Sequence, residues 1–250
     1  MQKILVTGAN GFVGSALCAR LDRDAIPFLA AVREAGAAHQ FQCGDIDAAT
    51  DWTAALAGCD AVIHLAARVH VMNEARDAEG AEAAYFSLNL DATMNLARQA
   101  AAAGVRRFVY VSSVKVNGES SARPFTAHDA PAPQDAYARS KLAAERALLA
   151  LGAAGPMQVA IVRPPLVYGP GVGANFLRLM RLVKLGLPLP LGALDNRRSL
   201  VALDNLVDLL LVCARHPDAA GQVFLVSDGD DVSTAELLRR LAGAMGRRAR

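Results

Sequence analysis

The sequence predicts an α/β protein built on a doubly wound parallel sheet, with a smaller C-terminal part. Three observations lead there. Short apolar runs rich in Val, Ile and Phe alternate with longer Ala/Leu/Arg stretches of helical period. The runs are apolar nearly throughout, as in strands buried on both faces of a parallel sheet, and not alternating as in a half-exposed one. Finally, the first run passes into the glycine-bearing stretch "VTGANGFVG" and then straight into a helical pattern. With right-handed crossovers, this order winds helices onto both faces of one sheet.

The strand candidates, in order, are 3–7, 28–33, 39–44, 61–66, 107–113 and 158–163. Helical stretches lie near 12–23, 50–57, 77–103, 135–153 and 174–185. The rhythm breaks at "RPPLVYGPGVG": residues 164–200 carry Pro164, Pro165, Pro170, Pro188 and Pro190 among several glycines. They read as loops with one helix laid over the sheet's edge. Residues 204–215 and 222–228 read as a return to the sheet. The closing stretch opens with Ser233 and Glu236 at capping-box spacing and reads as a helix. The division expected is 1–165 plus about 200–228 in one domain, and 166–199 plus 229–250 in a second.

Composition excludes several classes of function. Hydrophobic residues make up 53% of the 250 positions and the net charge is only +2. No basic run exceeds two residues, so the clustered footprint of a nucleic-acid binder is missing. No apolar run approaches the ~18 residues of a membrane span. Cys18, Cys43, Cys59 and Cys213 lie far apart, without a CxxC pair, and read as buried thiols of a reducing compartment and not as metal ligands. The chain enters its first strand at once, leaving no room for a signal peptide. A cytoplasmic protein is expected, with no metal and no membrane partner.

Gly8, Gly11 and Gly14 follow the first strand at GxxGxxG spacing, with Ala9 where the usual dinucleotide fingerprint has its second glycine. Glycines there permit a tight turn, let backbone N–H groups approach a pyrophosphate, and bring helix and sheet close together. Asn10, Phe12 and Val13 share the turn. About 20 residues on, such folds carry an acid for a ribose 2′-hydroxyl or an Arg for a 2′-phosphate. Arg33 leans towards NADP and Glu34 keeps NAD open, so both remain candidates.

The stretch "DAYARSKLAAE" puts Tyr137 and Lys141 one helical turn apart, in a chain with 22 Arg but only 4 Lys and 4 Tyr. Side chains four apart on a helix share a face, with Cβ atoms ~5–6 Å apart. A free phenol, with a pKa near 10, is a poor base at neutral pH, and a cation beside it favours its ionised form. Lowering of the Tyr137 pKa by Lys141 is therefore expected. Arg would keep the charge there but lose the compact ammonium.

Taken together, "TGANGFVG", "GDI" (44–46), "VIHLAA" (62–67), "NLDATMNL" (89–96), "VSSVKVNGE" (111–119), "YARSK" (137–141) and "RPPLVYGPG" (163–171) resemble the extended short-chain dehydrogenases/reductases that act on nucleotide sugars. The motifs keep that family's order over about two thirds of the chain. The resemblance implies a Rossmann fold that binds NAD or NADP, and a substrate lobe of which part lies beyond Arg250. Asp45 and Ile46 would contact the adenine. Leu65, Ala66 and Ala67 would line the cofactor's ribose and phosphate edge, with Pro164 also at the cofactor. Asn89 would sit beneath the nicotinamide side, or simply bridge a helix. Ser113, with Ser112 as alternative, would orient the sugar oxygen, Tyr137 would exchange its proton, and Lys141 would also hold the nicotinamide ribose. His64 reads as a satisfied core histidine. Arg198, with Arg197 beside it, and Asn175 would contact the nucleotide sugar.

Dehydratases of the family need an acidic pair after the active-site Ser/Thr, and Val114 and Lys115 stand there instead. The implied reaction is 4-epimerisation of a UDP-hexose in surface-polysaccharide precursor synthesis, the stretch "SSVKVNGE" resembling a UDP-glucose 4-epimerase-like subgroup. A 4-keto reductase is the alternative, and a non-catalytic dinucleotide sensor a weaker one. The resemblance also implies a homodimer.

Overall fold

The computed structural model describes residues 3–69, 78–185 and 196–247. These fall into two compact units, Met1–Pro164 with Val207–Leu225 and Pro165–Leu206 with Val226–Arg250.

In the first unit, the chain begins as β1 (Lys3–Thr7), α1 (Phe12–Arg23), β2 (Phe28–Val32), β3 (Gln40–Gln42), α2 (Thr53–Leu56) and β4 (Cys59–His64). It continues with α3 (Ala78–Phe86), a π-helical turn over Ser87–Ala92, α4 (Thr93–Ala102), β5 (Arg107–Val111), α5 (Ala136–Ala154) and β6 (Gln158–Arg163). Seven parallel strands pair in the order β3-β2-β1-β4-β5-β6-β9, the last being β9 (Val223–Leu225). The winding reverses between β1 and β4, where Ile4 pairs with Phe28 on one side and with Ala61 on the other. In open parallel sheets, the crevice at the carboxyl ends of strands flanking such a reversal is where ligands bind.

Alternate strand residues serve opposite layers. Leu5, Val62, Phe108, Tyr110 and Ile161 pack with Trp52 and Leu56, Leu96 and Ala97 of α4, and Ala144 and Leu148 of α5. Their neighbours Ile4, Val6, Ile63, Val109 and Val162 are equally buried and point to the other face. On that side α1 buries Leu17 and Leu21, and Arg20 of α1 reaches Asp208 at 3.3 Å. Asp208 belongs to α7 (Leu203–Arg215), the helix that carries the chain from the second unit back into the first.

The second unit pairs β7 (Leu166–Tyr168) in parallel with β8 (Leu200–Ala202). Its core joins Phe176 of α6 (Ala174–Leu185) to Leu200, Val232 and Leu237, the last in α8 (Thr234–Ala244). Asp228 accepts hydrogen bonds from the Tyr168 hydroxyl at 2.8 Å and the Ala202 N–H at 2.9 Å. Ser233 caps α8 by accepting from the Glu236 N–H at 3.0 Å. Half the capping box is made, because the Glu236 carboxylate pairs instead with Arg239 and Arg240.

Some boundaries differ from the sequence expectation. The fifth strand stops at Val111, so Ser112 and Ser113 lie beyond it, and β4 begins two residues earlier than expected, at Cys59. Residues 204–215, read as part of a return to the sheet, are helical. The long helical stretch near 77–103 contains the π turn, which an apolar period of 3.6 cannot signal because it is one residue wider.

The turn after β1 is set by close approach. Gly8 has φ +67°, and a Cβ on it would lie 2.7 Å from the Ala66 nitrogen at the end of β4. A Cβ on Gly14 would lie 2.1 Å from the Gly8 carbonyl oxygen and 2.8 Å from the Ala9 Cα, all of it backbone that cannot step aside. Gly14→Ala is therefore expected to lower stability by about 2–3 kcal/mol and to impair dinucleotide binding, as read by urea unfolding and by titration with NAD and NADPH. A wild-type unfolding midpoint in the variant would contradict the packing described.

Candidate active site

The glycine turn sits at the sheet's reversal point. The Gly11 N–H donates to the Gly8 carbonyl at 2.9 Å, and α1 starts at Phe12 with no side-chain cap from Gly11. Backbone N–H groups at a helix start without a side-chain cap can receive phosphate oxygens, and the helix dipole favours the negative charge. Asn10 and Gly11 are exposed at the turn, with Phe12 and Val13 half-buried behind them. The residues therefore fit a dinucleotide pyrophosphate: Gly8 and Gly14 hold the turn where a Cβ would strike backbone, and the exposed Asn10 and Gly11 leave the helix start open.

The end of β4 forms the opposite wall. Leu65 N–H donates to the Thr7 carbonyl at 3.2 Å and Ala66 N–H to the Thr7 Oγ1 at 3.4 Å, and Leu65, Ala66 and Ala67 are half-buried. Arg33, just past β2, meets Asp45 at 2.9 Å, with both side chains open to solvent at 82% and 88% exposure. An ion pair that exposed contributes little to stability, so the Arg33 guanidinium is available to a competing anion. Ile46 packs on the rim of the main core.

Asp135 opens α5 by accepting from the Ala138 N–H at 2.7 Å. In its first and second turns, Tyr137 and Lys141 share the helix face that looks towards the sheet. Lys141 is 2% exposed. Its Nζ donates to the Val111 carbonyl at 2.8 Å, lies 4.6 Å from the Tyr110 ring centroid, and 6.0 Å from that of Tyr137. Burial pulls its pKa down to about 7, and the Glu145 carboxylate pushes the other way. The Tyr137 ring meets Tyr85 edge-on at 6.2 Å.

Ser113 stands beside the Tyr137 phenol and opposes the effect of burial on it. Ser113 caps the short 3₁₀ turn Val114–Val116, where its Oγ accepts from the Lys115 N–H at 3.3 Å. Neighbouring Ser112 is turned inward, its hydroxyl buried without a partner among the described residues.

The Tyr137 pKa is raised, not lowered as the sequence led us to expect. Burial pushes the phenol up to about 12, and the opposing influences are Ser113 and the charge of Lys115. Lys141 is not among the influences on the phenol: its Nζ is directed to the Val111 carbonyl and the Tyr110 ring, and stands 6.0 Å from the Tyr137 ring centroid.

Asn89, in the π turn, is fully buried. Its Oδ1 accepts from the Arg68 N–H at 2.9 Å, and its Nδ2 donates to the Arg68 carbonyl at 3.1 Å and to Ser140 Oγ at 3.0 Å. It ties the wall after β4 to the turn of α5 that carries Lys141. The His64 ring nitrogens meet the hydroxyls of Thr7 at 2.6 Å and Thr93 at 2.9 Å, and burial, with the Lys141 charge adding to it, pushes the pKa down to about 3. It is a neutral core histidine.

Of the remaining expected residues, Pro164 accepts the Val114 N–H at 3.0 Å, joining the end of β6 to the Ser113 turn. Arg198 lies in the second unit, with its backbone bridged to Val232 and its side chain exposed, as Arg197's is. The Asn175 side chain lies outside the described residues. Sequence reasoning missed three groups around Tyr137. Lys115 donates to Asp135 at 2.7 Å and Glu119 at 2.9 Å, and Glu145 and Arg163 form a buried pair. The spacing of Tyr137, Lys141 and Glu145, four and four, was the available signal.

Among the described residues, no cluster of His, Cys, Asp or Glu could hold a metal ion, and no helix is long and apolar enough to cross a membrane. A parallel sheet with a glycine cradle at its reversal point, beside a Ser–Tyr contact and a buried lysine, defines the dinucleotide-binding α/β class. The model of the NAD dependent epimerase/dehydratase family matches residues 4–227, and the chain belongs to that family. It is 49% identical over 251 residues to a UDP-glucose 4-epimerase of Vibrio cholerae, spanning 98% of this chain and 76% of that one. Among solved structures, it resembles MoeE5 in complex with UDP-glucose and NAD, with a TM-score of 0.84 and 30% identity over 99% of this chain and 83% of that one. RMD from Pseudomonas aeruginosa complexed with NADPH has a TM-score of 0.78 and 29% identity, covering 99% and 86% of the two chains.

A buried ammonium costs stability wherever the unfolded chain keeps it charged in water. The folded pKa of Lys141 lies below the ordinary lysine value of 10.5, so this cost is full below about pH 7 and fades as pH rises towards 10.5. Lys141→Met is expected to melt at a higher temperature than wild type at pH 6, with the difference shrinking by pH 10. Thermal melts across that range check it, and equal melting points at pH 6 would show that the lysine carries no such cost.

Proposed function

We propose that the protein is an NAD(P)-dependent nucleotide-sugar 4-epimerase acting on a UDP-hexose through a transient 4-keto sugar. The observation that carries this is the placement of the buried Lys141, its Nζ 6.0 Å from the Tyr137 ring centroid, with Ser113 beside the phenol, in a chain 49% identical to a UDP-glucose 4-epimerase. In this reading, Tyr137 takes the proton of the sugar's 4-hydroxyl and later returns it, while Ser113 holds that oxygen in line. When bound, the oxidised dinucleotide supplies the hydride acceptor and a positive charge that opposes the effect of burial on the phenol. Lys141 holds the ammonium beside Tyr137 and the nicotinamide ribose. The Gly8–Gly14 turn takes the pyrophosphate, Asp45 and Ile46 the adenine, Leu65–Ala67, Asn89 and Pro164 the remaining cofactor edge, and Arg198 and Asn175 the nucleotide sugar. After hydride leaves C4, rotation of the keto sugar exposes its other face, and the returned hydride gives the epimer.

A 4-keto reductase is the second reading. It is favoured by the exposed Arg33 at the end of β2 and by the likeness to an NADPH complex. A cytoplasmic homodimer making surface-polysaccharide precursors completes the proposal, resting on the family resemblance.

Mixing purified protein with UDP-glucose and catalytic NAD is expected to yield the C4 epimer with no net change in cofactor. Stoichiometric consumption of NADPH by a 4-keto sugar would instead establish the reductase. Tyr137→Phe is expected to lower turnover by about 10³-fold or more while leaving dinucleotide binding close to wild type. Unchanged turnover would remove Tyr137 from the chemistry.

A further inference from the structure

The ion pair between Glu145 and Arg163 takes no part in the steps above, yet its side chains are only 2% and 5% exposed. Arg163 grips the carboxylate with two prongs, Nε to Oε1 at 2.9 Å and Nη2 to Oε2 at 2.5 Å. Its third nitrogen, Nη1, donates to Asn117 Oδ1 at 3.0 Å, and Asn117 Nδ2 donates to the Thr126 carbonyl at 3.1 Å. For stability alone this is a poor choice. The cost of desolvating two ions roughly matches their attraction, and apolar residues of similar volume often do as well. The placement suggests another use. Glu145 lies one helical turn past Lys141, itself one turn past Tyr137, so all three share a face of α5. Arg163 ends β6, and Asn117 closes the turn that Ser113 opens.

The groups facing Lys141 come from four elements. Its own helix brings Tyr137 and Glu145. Strand β5 brings the Tyr110 ring and the Val111 carbonyl, β4 brings the neutral His64, and β6 brings Arg163 behind Glu145. Among these, Glu145 alone carries negative charge, and a carboxylate one turn away favours the charged lysine.

We propose that Glu145 is a positioning residue for the reaction: clamped by Arg163, its carboxylate stands one helical turn past Lys141 as the counter-charge to its ammonium, while the same arginine anchors the turn bearing Ser113. This rests on the Ser113–Tyr137–Lys141 reading of the chemistry.

The chain has four lysines, Lys3, Lys115, Lys141 and Lys184, so their ¹³Cε resonances can be followed individually in labelled protein. Lys141 is identified by the signal missing from Lys141→Met. Two variants are titrated: Glu145→Gln, and the doubly neutral Glu145→Met/Arg163→Met, which leaves no unpaired guanidinium in the core. In both, the Lys141 midpoint is expected to fall by about one pH unit or more. The alkaline limb of the pH–turnover profile with UDP-glucose should move down with it, a loss of about tenfold at pH 8. Glu145→Asp should recover part of both. A folded double variant in which Lys141 titrates as in wild type, or a profile that keeps its shape, overturns the proposal. If neither neutral variant folds, Glu145→Asp decides with the same sign, an unmoved midpoint again overturning it. A wild-type protein inert towards UDP-glucose whose variants still move the Lys141 midpoint would count against the epimerase reading while supporting the role of Glu145. An active wild type with unmoved midpoints would sink this inference alone.

Discussion

A charged amine enclosed by the fold, with a carbonyl at 2.8 Å and two tyrosine rings around it, is the constraint on which the rest of the site turns. Water solvates an ammonium better than any of these groups does, so Lys141 keeps its charge only where several weak partners converge. The convergence needs β5 to end at Val111, Tyr110 to lie beneath the helix, and α5 to cross both at the right height. Each condition comes from the packing of the sheet's main layer. There, Tyr110 and Phe108 meet Ala144 and Leu148 of the same helix.

The electrostatics around Tyr137 follow from the same enclosure. Burial alone would hold the phenol neutral far above physiological pH, and neither Ser113 nor the nearby Lys115 reverses that. A site set this way stays protonated until further positive charge arrives. Such an arrangement couples proton exchange to occupancy of the cleft, because the charge that frees the proton belongs to the partner that accepts hydride. The Asn89 contacts serve the geometry of the same cleft. By gripping the backbone of Arg68 and the hydroxyl of Ser140, they join the wall of the crevice to the helix that carries Lys141. The π turn that presents Asn89 inserts one extra residue into an otherwise regular helix, a distortion that often marks functional positions.

Much of the fold was legible because burial writes itself into residue type. The β1 and β6 ranges and the α1 and α6 ranges coincide with the apolar runs and helical stretches read from the chain. The glycine turn was equally plain, since Gly8 and Gly14 stand where any Cβ would strike backbone. Less legible were elements defined by partners distant in sequence. Residues 39–44 suggested a longer strand than Gln40–Gln42. Leu203–Arg215 was legible but misread, since Leu203, Leu206, Val207, Leu210, Leu211 and Ala214 recur at helical spacing.

By itself, the sequence determined the alternation of strand and helix, the cradle, and the placing of Tyr137 and Lys141 on one helical face. All of these follow from spacing within a single element, where backbone geometry leaves little choice. Only the tertiary structure decided the protonation behaviour of those side chains and which serine met the tyrosine. It also decided that Glu145 would find Arg163 across the helix–strand boundary. Those outcomes depend on how completely water is excluded and on which charges are brought together from remote parts of the chain. Periodicity carries no information about either.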